Sequence, residues 1–230
     1  MIQKLHRILV DLLYPNLCDA CSENLRNQEV HICTACLCSL PKTNYHLMPN
    51  NLLEQRLWGK VNFHRATAFF HFHKGSPLQK ILYSLKYKGK KEIGEFLGKH
   101  AATDISASET FASIDLIIPV PLHPNRLKTR GYNQSEWIAK GISSLLNKPL
   151  DTSSLVRKTD TKSQTRKNTF DRYINTEGIF ALQTADCLVN KHVLLVDDVM
   201  TTGSTIEACI QTLNQVEGIK ISIFALAMAT

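Results

Sequence analysis

The sequence lacks a long apolar run: nowhere in its 230 residues are there the ~18 to 20 uninterrupted apolar residues that span a bilayer. The N-terminal stretch MIQKLHRILVDLLYP is broken by His6, Arg7 and Asp11, and no small-residue cleavage site follows it. Internal repeats and low-complexity segments are also absent. These absences exclude a transmembrane segment and argue against a secretory signal, so we expect a cytoplasmic protein.

The composition allows one sizeable core and one small additional module. Hydrophobic residues make up 43% of the chain, which is enough for a main domain of ordinary size. Lys and Arg number 27 against 20 Asp and Glu, giving a formal charge of +7. This excess weakly favours an anionic partner such as nucleic acid or a phosphorylated ligand.

Hydrophobic periodicity predicts strands that alternate with helices. Strands are expected over 66–72, 115–120, 193–196 and 219–228, and helices over 2–13, 77–86, 92–102, 134–146 and 204–216. Ser76 and Asn133 are predicted N-caps, with Gln79 and Glu136 as their capping partners. Residues 42–60 are interpreted as a connector and 157–176 as a long mobile loop. Alternation of this kind indicates a parallel sheet with helices on both faces.

The segment VLLVDDVMTTGST, residues 193–205, predicts a phosphate-binding strand–loop–helix unit. Small hydroxyl residues around a glycine let backbone N–H groups at a helix start converge on a phosphate; they are Thr201, Thr202, Gly203, Ser204 and Thr205. Asp197 and Asp198 fall at the carboxyl end of the strand, where open parallel sheets bind ligands. Their carboxylates suit the hydroxyls of a ribose and, through them or through water, a Mg²⁺ ion.

This segment resembles the phosphoribosyl pyrophosphate (PRPP) signature of type I phosphoribosyltransferases. The alternative is an ordinary helix in which Ser204 and Glu207 form a capping box. Some purine-type members carry an Asp, as acid or base toward the nucleobase, where this chain has Thr201. A hydroxyl cannot do that at neutral pH, so the segment favours PRPP binding over purine chemistry.

A basic loop follows the predicted strand DLIIPV. Arg126, Lys128 and Arg130 can neutralise a pyrophosphate leaving group; a solvated basic loop is the other interpretation. The run IPVPLHPNRLKTRGYNQS, together with the second motif, LKYKGKKEIGEFLG and RKTDTKSQTRKNTFDRYINTEGIF, resembles the ComF family of natural-competence systems. The resemblance implies that Val120, Pro121 and Leu122 form the pyrophosphate turn. It also implies partners such as a DNA-translocating helicase.

Six lysines and no acidic residue lie between Lys74 and Lys91, interleaved with Tyr83 and Tyr87. Such a stripe could hold a single-stranded backbone and stack its bases, or could simply be the solvated face of a helix. The candidate nucleic-acid residues are Lys80, Lys86, Tyr87, Lys88, Lys90 and Lys91. The basic segment 157–176 resembles the loop that closes over type I sites, and its basic residues are Arg157, Lys158, Lys162, Arg166, Lys167 and Arg172.

Four cysteines, Cys18, Cys21, Cys33 and Cys36, form a C-x2-C-x11-C-x2-C pattern. Paired thiolates at this spacing suit one tetrahedral structural Zn²⁺, with redox disulfides as the alternative. Cys38 is a spare thiol, expected to be packed, with an alternative ligand role as the other interpretation. A closed four-thiolate site has no open position for catalysis, so the metal would stabilise a small module and present it to a partner.

We therefore expect an α/β protein with two parts. Residues 1–45 would hold the N-terminal helix and a zinc-ribbon module, and residues 60–230 a type I phosphoribosyltransferase-like domain. The first hypothesis is an enzyme that displaces pyrophosphate from PRPP with Mg²⁺, with Asp197 and Asp198 as catalytic residues and an unknown acceptor. The second is a single-stranded-DNA-binding adaptor in DNA uptake that keeps the PRPP site as an anchor or sensor.

Overall fold

The computed structural model describes residues 15–26, 28–158 and 178–229. The predicted helix over 2–13 and most of the predicted loop over 157–176, including Lys162, Arg166, Lys167 and Arg172, lie outside these residues. Of the helices in the described ranges, none combines the length and apolar character that crossing a bilayer requires.

The described elements alternate between helices and strands along most of the chain. The helices are α1 (Thr34–Ser39), α2 (Leu52–Leu57), α3 (Pro77–Tyr87), α4 (Glu92–Ile105), α5 (Glu109–Ala112), α6 (Pro124–Arg130), α7 (Gln134–Leu146) and α8 (Ser204–Leu213). The strands are β1 (Arg65–Phe72), β2 (Leu116–Pro119), β3 (Leu155–Arg157), β4 (Phe180–Leu182), β5 (His192–Met200) and β6 (Lys220–Ala229). Short 3₁₀ turns cover Tyr45–Leu47 and Asp186–Leu188.

The main sheet has four parallel strands in the order β1-β6-β5-β2. In its centre Val193 of β5 pairs with Ile221 of β6, and on the other side with Leu116 of β2. The predicted parallel sheet is therefore confirmed. A separate antiparallel pair, β3 with β4, was not predicted, because strands of three residues are too short to show a period.

Helices cover both faces of this sheet. Because side chains alternate along a strand, Leu194 and Val196 enter one hydrophobic cluster while Val193 and Leu195 enter the other. The first cluster also contains apolar residues of α3, α4 and α7, and the second those of α2 and α8. The architecture is the predicted type I phosphoribosyltransferase-like fold.

The first cluster extends into the N-terminal cysteine module. Cys18, Ala20 and Ile32 are each 2% exposed and pack in the same cluster as Leu78 of α3. The ring of His31 lies edge-on to Phe96 of α4, with centroids 5.9 Å apart. The module therefore docks on α3 and α4.

Helices α4 and α7 cross without side chains between them. A Cβ atom added at Gly98 would lie 2.2 Å from the carbonyl oxygen of Ile138, and one added at Gly141 would lie 2.2 Å from that of Glu95. Only glycine at both positions permits this backbone approach. The crossing fixes α7 against α4.

Residues 42–60 are packed structure and not the predicted connector. Leu53 and Leu57 of α2 are fully buried in the second cluster. Asn51 caps α2 by accepting from the N–H groups of Leu53 and Glu54, and its Nδ2 donates to the carbonyl of Ala66 in β1 at 2.9 Å. This segment is thus tied to the main sheet. The domain boundaries predicted at 45 and 60 stay predictions.

The predicted caps differ in outcome. Asn133 caps α7 as expected, accepting from the N–H of Ser135 at 3.1 Å. Ser76 precedes α3 but makes no capping hydrogen bond, and its hydroxyl is buried without a partner among the described residues. Gln79 instead accepts from the N–H of Gly75, so the predicted capping box at α3 is wrong.

The predicted basic loop after β2 contains a helix, α6. His123 accepts from the N–H of Asn125 at 3.2 Å, and Pro124 occupies the first turn, where it needs no donor. Gly131, with a φ of +79°, ends the helix in the left-handed conformation. Arg126, Lys128 and Arg130 therefore project from a short helix and not from an irregular loop.

Candidate functional site

The acidic pair lies near the carboxyl end of β5, as the sequence predicted. Asp197 and Asp198 belong to the strand itself, which continues to Met200 before the loop begins. Strand β5 is flanked by β6 and β2, so the pair sits in the middle of the sheet edge where ligands of open parallel sheets bind.

The two carboxylates face different partners. Asp197 Oδ1 accepts from the hydroxyl of Ser135 at 3.1 Å, at the start of α7. Asp198 Oδ2 forms an ion pair with Lys86 Nζ of α3 at 2.9 Å. Desolvation, reinforced by the charge of Asp198, raises the pKa of Asp197 to about 7. The pair therefore combines a carboxylate held in an ion pair with one whose ionisation is opposed by burial.

The loop after β5 presents N–H groups at the start of α8, of which that of Ser204 donates to Thr202 Oγ1 at 3.4 Å. Gly203 is the N-cap of α8 and has a φ of +92°, so Ser204 is the first helical residue and not the cap. Glu207, the other member of the alternative capping box, pairs with Lys60 at 3.1 Å. Among the described residues, the N–H groups of Gly203 and Thr205 have no acceptor. This arrangement can receive an anion.

Arg56 of α2 contacts the predicted phosphate loop, residues 201–205. Its guanidinium donates to the carbonyl oxygens of Thr201 and Ala229. Within the loop the hydroxyls of Thr202 and Ser204 lie 3.1 Å apart. Arg56 could not be predicted as part of the site, because 145 residues separate it from Thr201 and no local pattern reveals such a contact.

The candidate pyrophosphate residues lie after β2, beside β5. Val120 donates to the carbonyl of Val196 at 2.8 Å, and its own carbonyl accepts from Asn133 Nδ2 at 3.0 Å. These bonds fix the backbone that leads into Pro121 and Leu122, which are half-buried. Asn133 thus connects the start of α7 to this turn.

A basic cavity of about 530 Å³ opens between α6 and the C-terminal end of α3. Arg126 and Arg130 line it, together with Lys86 and Tyr87. Lys128 is exposed and does not line it. The structure therefore brings two of the three predicted pyrophosphate cations together with two predicted nucleic-acid residues, and Lys86 connects this cavity to Asp198.

Two tyrosines of α3 form an exposed aromatic surface. Tyr83 and Tyr87 are 54% and 62% exposed, and their ring centroids are 5.1 Å apart. The guanidinium of Arg130 lies 5.1 Å from the centre of the Tyr87 ring, and Lys88 Nζ lies 6.0 Å from that of Tyr83. Exposed rings with cations over them offer stacking and charge together.

The remaining predicted nucleic-acid residues are divided between several partners. Lys90 pairs with Asp19 of the cysteine module at 2.8 Å, and Lys91 Nζ lies 4.6 Å from the centre of the Trp137 ring. Lys80 lines a second cavity between α3 and that module. The predicted stripe is thus spread over more than one surface.

The four cysteines of the C-x2-C pairs converge at one point. The Sγ atoms of Cys18, Cys21, Cys33 and Cys36 all lie within 4.8 Å of one another. Cys21 and Cys33 are 3.8 Å apart, which agrees with the ~3.8 Å edge of a tetrahedron with Zn–S bonds of ~2.3 Å. The residues present therefore fit a zinc ion.

The backbone around Cys18 favours its thiolate, whereas burial and the neighbouring thiols raise the pKa of Cys36. Burial opposes ionisation of Cys18, but N–H donors of Cys21, Cys33 and Ala20 outweigh it and lower its pKa to about 7. Cys38 is exposed and does not belong to the cluster. Cys38 is therefore not one of the candidate zinc ligands.

The C-terminal part of the sequence matches a known domain. Residues 133–229 match the phosphoribosyl transferase domain, a span that contains α7, the acidic pair, the phosphate loop and β6.

Relatives match nearly the whole chain. DNA utilization protein YhgH of Escherichia coli (strain K12) is 26% identical over 200 residues, covering 86% of this chain and 83% of the relative. Competence protein F of Haemophilus influenzae is 27% identical over 217 residues, covering 93% and 90%. Competence protein ComFC of Streptococcus pneumoniae is 22% identical over 215 residues, covering 88% and 90%.

Two solved structures are more distantly similar. The allosteric regulatory enzyme of purine biosynthesis gives a TM-score of 0.41 at 16% identity, over 60% of this chain and 25% of that one. The chain thus spans about a quarter of that enzyme. Purine phosphoribosyltransferase of Pyrococcus horikoshii gives 0.35 at 20% identity, over 58% and 74%. The domain match and the relatives together show that the chain is similar to ComF-family proteins and carries a phosphoribosyltransferase-like domain.

Proposed function

We propose that the chain binds PRPP with Mg²⁺ at the end of β5 and transfers its phosphoribosyl group to an acceptor, releasing pyrophosphate. One observation carries the proposal: the acidic pair Asp197–Asp198 leads within the same strand into a loop where the N–H groups of Gly203 and Thr205 have no acceptor among the described residues. A ribose 5-phosphate requires carboxylates that accept from its hydroxyl groups and N–H groups that donate to its phosphate. Here the two sets lie a few residues apart.

Each group of residues has a role in this proposal. The loop 201–205 holds the 5-phosphate, and Asp197 and Asp198 accept hydrogen bonds from the ribose hydroxyls. Val120, Pro121 and Leu122 supply the turn beside the pyrophosphate, while Arg126, Lys128 and Arg130 neutralise its charge. Asp198 already holds a cation, Lys86 Nζ, at 2.9 Å, so its position fits a metal ion as well. Mg²⁺ would supply charge neutralisation at the leaving group, and catalysis would come mainly from positioning and electrostatics.

Ligand-induced thermal stabilisation tests binding. PRPP with Mg²⁺ should raise the melting temperature of the wild-type protein, since a ligand that binds only the folded state stabilises it. Asp198→Asn should abolish most of this rise, whereas Asp186→Asn, on a 3₁₀ turn outside the candidate site, should not. An unchanged melting temperature of the wild type at saturating PRPP would contradict the proposal.

Catalysis requires a separate measurement. Pyrophosphate release from PRPP, assayed with nucleobases, nucleotides and oligonucleotides as acceptors, should depend on Asp197 and Asp198. Binding without release with any of these acceptors would leave a PRPP anchor or sensor and refute the transferase.

The biological role that we propose is in DNA uptake and use. The relatives' names, DNA utilization protein and competence protein, support this assignment, as does the formal charge of +7. A DNA-translocating helicase is a partner that such a role suggests. None of the seven cysteines, all of which lie in the described residues, forms a disulfide, which supports the reducing cytoplasm as the site of action.

A second candidate function is single-stranded DNA binding by a surface on α3. The observation that favours it is the exposed pair Tyr83–Tyr87 with Arg130 and Lys88 placed over the rings. Such surfaces bind single strands by stacking and charge, with a strong salt dependence. Tyr87→Ala should weaken oligonucleotide binding about tenfold, while Trp58→Ala, which removes an aromatic that is 53% exposed elsewhere, should leave it unchanged. Equal loss in both variants would argue against this surface.

A further inference from the structure

A second basic cavity, of about 360 Å³, lies between the cysteine module and helix α3. The module supplies Asp19 and Ser22, and α3 with the turn after it supplies Lys80, Tyr83 and Lys88. Its volume falls within the ~300 to 1,000 Å³ that ligand sites occupy. None of the roles assigned above uses the module side of this cavity.

The cavity has excess positive charge. Asp19 is the carboxylate in its lining, and it is neutralised by Lys90 at 2.8 Å. Among the described residues neither Lys80 nor Lys88 forms an ion pair with a carboxylate. Two lysines without counter-charges, converging on one space, favour an anion there.

The aromatic pair separates the two basic cavities. Tyr83 lines the second cavity and Tyr87 lines the first, and their rings are in contact, with centroids 5.1 Å apart. A single strand alternates phosphates and bases, so a chain of cation, ring, ring and cation suits consecutive nucleotides better than one isolated phosphate. The arrangement thus favours a polynucleotide over a small anion.

We infer that the cavity between the cysteine module and α3 binds a phosphate of a single-stranded nucleic acid whose neighbouring base stacks on Tyr83. The cysteine module is then one wall of the strand-binding cleft, and its metal serves nucleic-acid binding by holding that wall in place. This inference rests on the second candidate function and adds to it the module surface around Ser22.

Ser22 allows a direct test of the module wall. Its φ is +66°, a conformation that Asn and Asp adopt more readily than most residues. Ser22→Asp therefore places a carboxylate opposite Lys80 and Lys88, and Ser22→Asn is a control of the same shape without the charge. Equal zinc content in both purified variants shows that the cluster has formed in each.

The measurement is the affinity of the full zinc-loaded chain for a short fluorescent oligothymidylate over a range of salt concentrations. Ser22→Asp should bind about tenfold more weakly than Ser22→Asn. Lys80→Ala and Lys88→Ala should each lower the salt slope by about 0.7. Lys191→Ala, an exposed lysine before β5 at the opposite end of the strand, should not.

The outcomes separate this inference from the functions on which it rests. Equal binding by the two Ser22 variants, with wild-type binding intact, overturns the inference and leaves strand binding to the Tyr87 surface. No oligothymidylate binding by the wild type overturns both the inference and the second candidate function, whereas PRPP stabilisation is measured independently. If thymidine monophosphate binds as tightly as the oligomer, the inference of a single-stranded ligand is overturned and the cavity is a small-anion site.

Discussion

The ammonium of Lys86 lies 2.9 Å from Asp198 Oδ2, and this ion pair joins helix α3 to the acidic pair of β5. Both side chains are largely covered, with 23% and 15% of their surfaces exposed. Lys86 also lines the cavity beside Arg126 and Arg130. A single side chain therefore touches both the proposed ribose site and the basic cavity.

Lys86→Gln should lower the Mg²⁺ concentration needed for stabilisation by PRPP. In the wild type the ammonium competes with the metal and the ribose hydroxyls for Asp198, and the variant removes this competitor. Thermal shifts titrated with Mg²⁺ at fixed PRPP measure the effect, with Lys99→Gln, which pairs with Glu95 on α4, as the control. A higher Mg²⁺ requirement would instead make Lys86 a phosphate ligand.

Asp197→Asn should stabilise the ligand-free protein above neutral pH. Desolvation and Asp198 raise the pKa of Asp197 to about 7, compared with ~3.9 in an unfolded chain. Its contribution to stability is therefore complete below pH ~4 and is lost as the pH rises through 7. At about pH 8 the variant should gain on the order of 2 kcal/mol.

In denaturant titrations without Mg²⁺, the gain in unfolding free energy of Asp197→Asn should become smaller as the pH is lowered. The same variant should lose its stabilisation by PRPP. A variant less stable than wild type at about pH 8 would show that the carboxylate is better solvated or paired than its surroundings indicate.

Gly203→Ala should impair PRPP binding more than it impairs folding. The φ of +92° disfavours any side chain, and a Cβ would lie 3.0 Å from Met200 Cε. Gly75→Ala is the matched control, because its φ is +84° with no atom within 4 Å of the added Cβ. Both variants should lose about 1 kcal/mol of unfolding free energy from the backbone, but only Gly203→Ala should weaken stabilisation by PRPP. Equal PRPP affinity in the two would argue against this loop as the phosphate site.

Cys36→Ser should lose zinc, whereas Cys38→Ser should keep it. Cys36 belongs to the four-thiol cluster, while Cys38, two residues later, is exposed and outside it. Metal analysis of the purified chains should give about one Zn²⁺ per wild-type chain. The Cys36 variant should also be less stable, because the module packs in the first hydrophobic cluster. Full zinc content in Cys36→Ser would refute the four-thiolate site.

His192 should contribute to acid sensitivity. It is 5% exposed, its Nε2 lies 2.8 Å from Ser222 Oγ, and its burial, with Lys220 and His64 nearby, lowers its pKa to about 4. A depressed pKa contributes stability above the unfolded value of ~6.5 that is lost as the pH falls through 4. As the pH falls between these values, the unfolding free energy of His192→Gln should therefore decrease by about 2 kcal/mol less than that of the wild type. Denaturant titration measures this difference. Parallel stability curves would contradict this role.

The main elements could be predicted because their signals are local. The central strands β5 and β6 contain apolar runs, at residues 193–196 and 223–229, and Asn133 caps α7 through a bond two residues away. Helix α6 also had local signals, Pro124 at its start and Gly131 at its end, but its basic composition favoured the interpretation as a loop.

The missing parts of the site depend on long-range packing. Ser135 reaches Asp197 only because α7 packs beside β5, and Arg56 reaches Thr201 only because α2 lies under the phosphate loop. Lys86 was predicted for nucleic acid, but the rotation of α3 turns it toward Asp198. Helix orientation is set by buried contacts, which a single sequence does not reveal.

The backbone crossing at Gly98 and Gly141 restricts which mutations the site can tolerate. A methyl group at either position must separate α4 from α7, because each would lie 2.2 Å from a carbonyl oxygen of the other helix. That separation would displace the first turn of α7 and draw the Ser135 hydroxyl away from Asp197. The absence of side chains at these two glycines thus maintains the hydrogen bond between Ser135 and Asp197. We expect substitutions at Gly98 or Gly141 to impair the site before they unfold the protein.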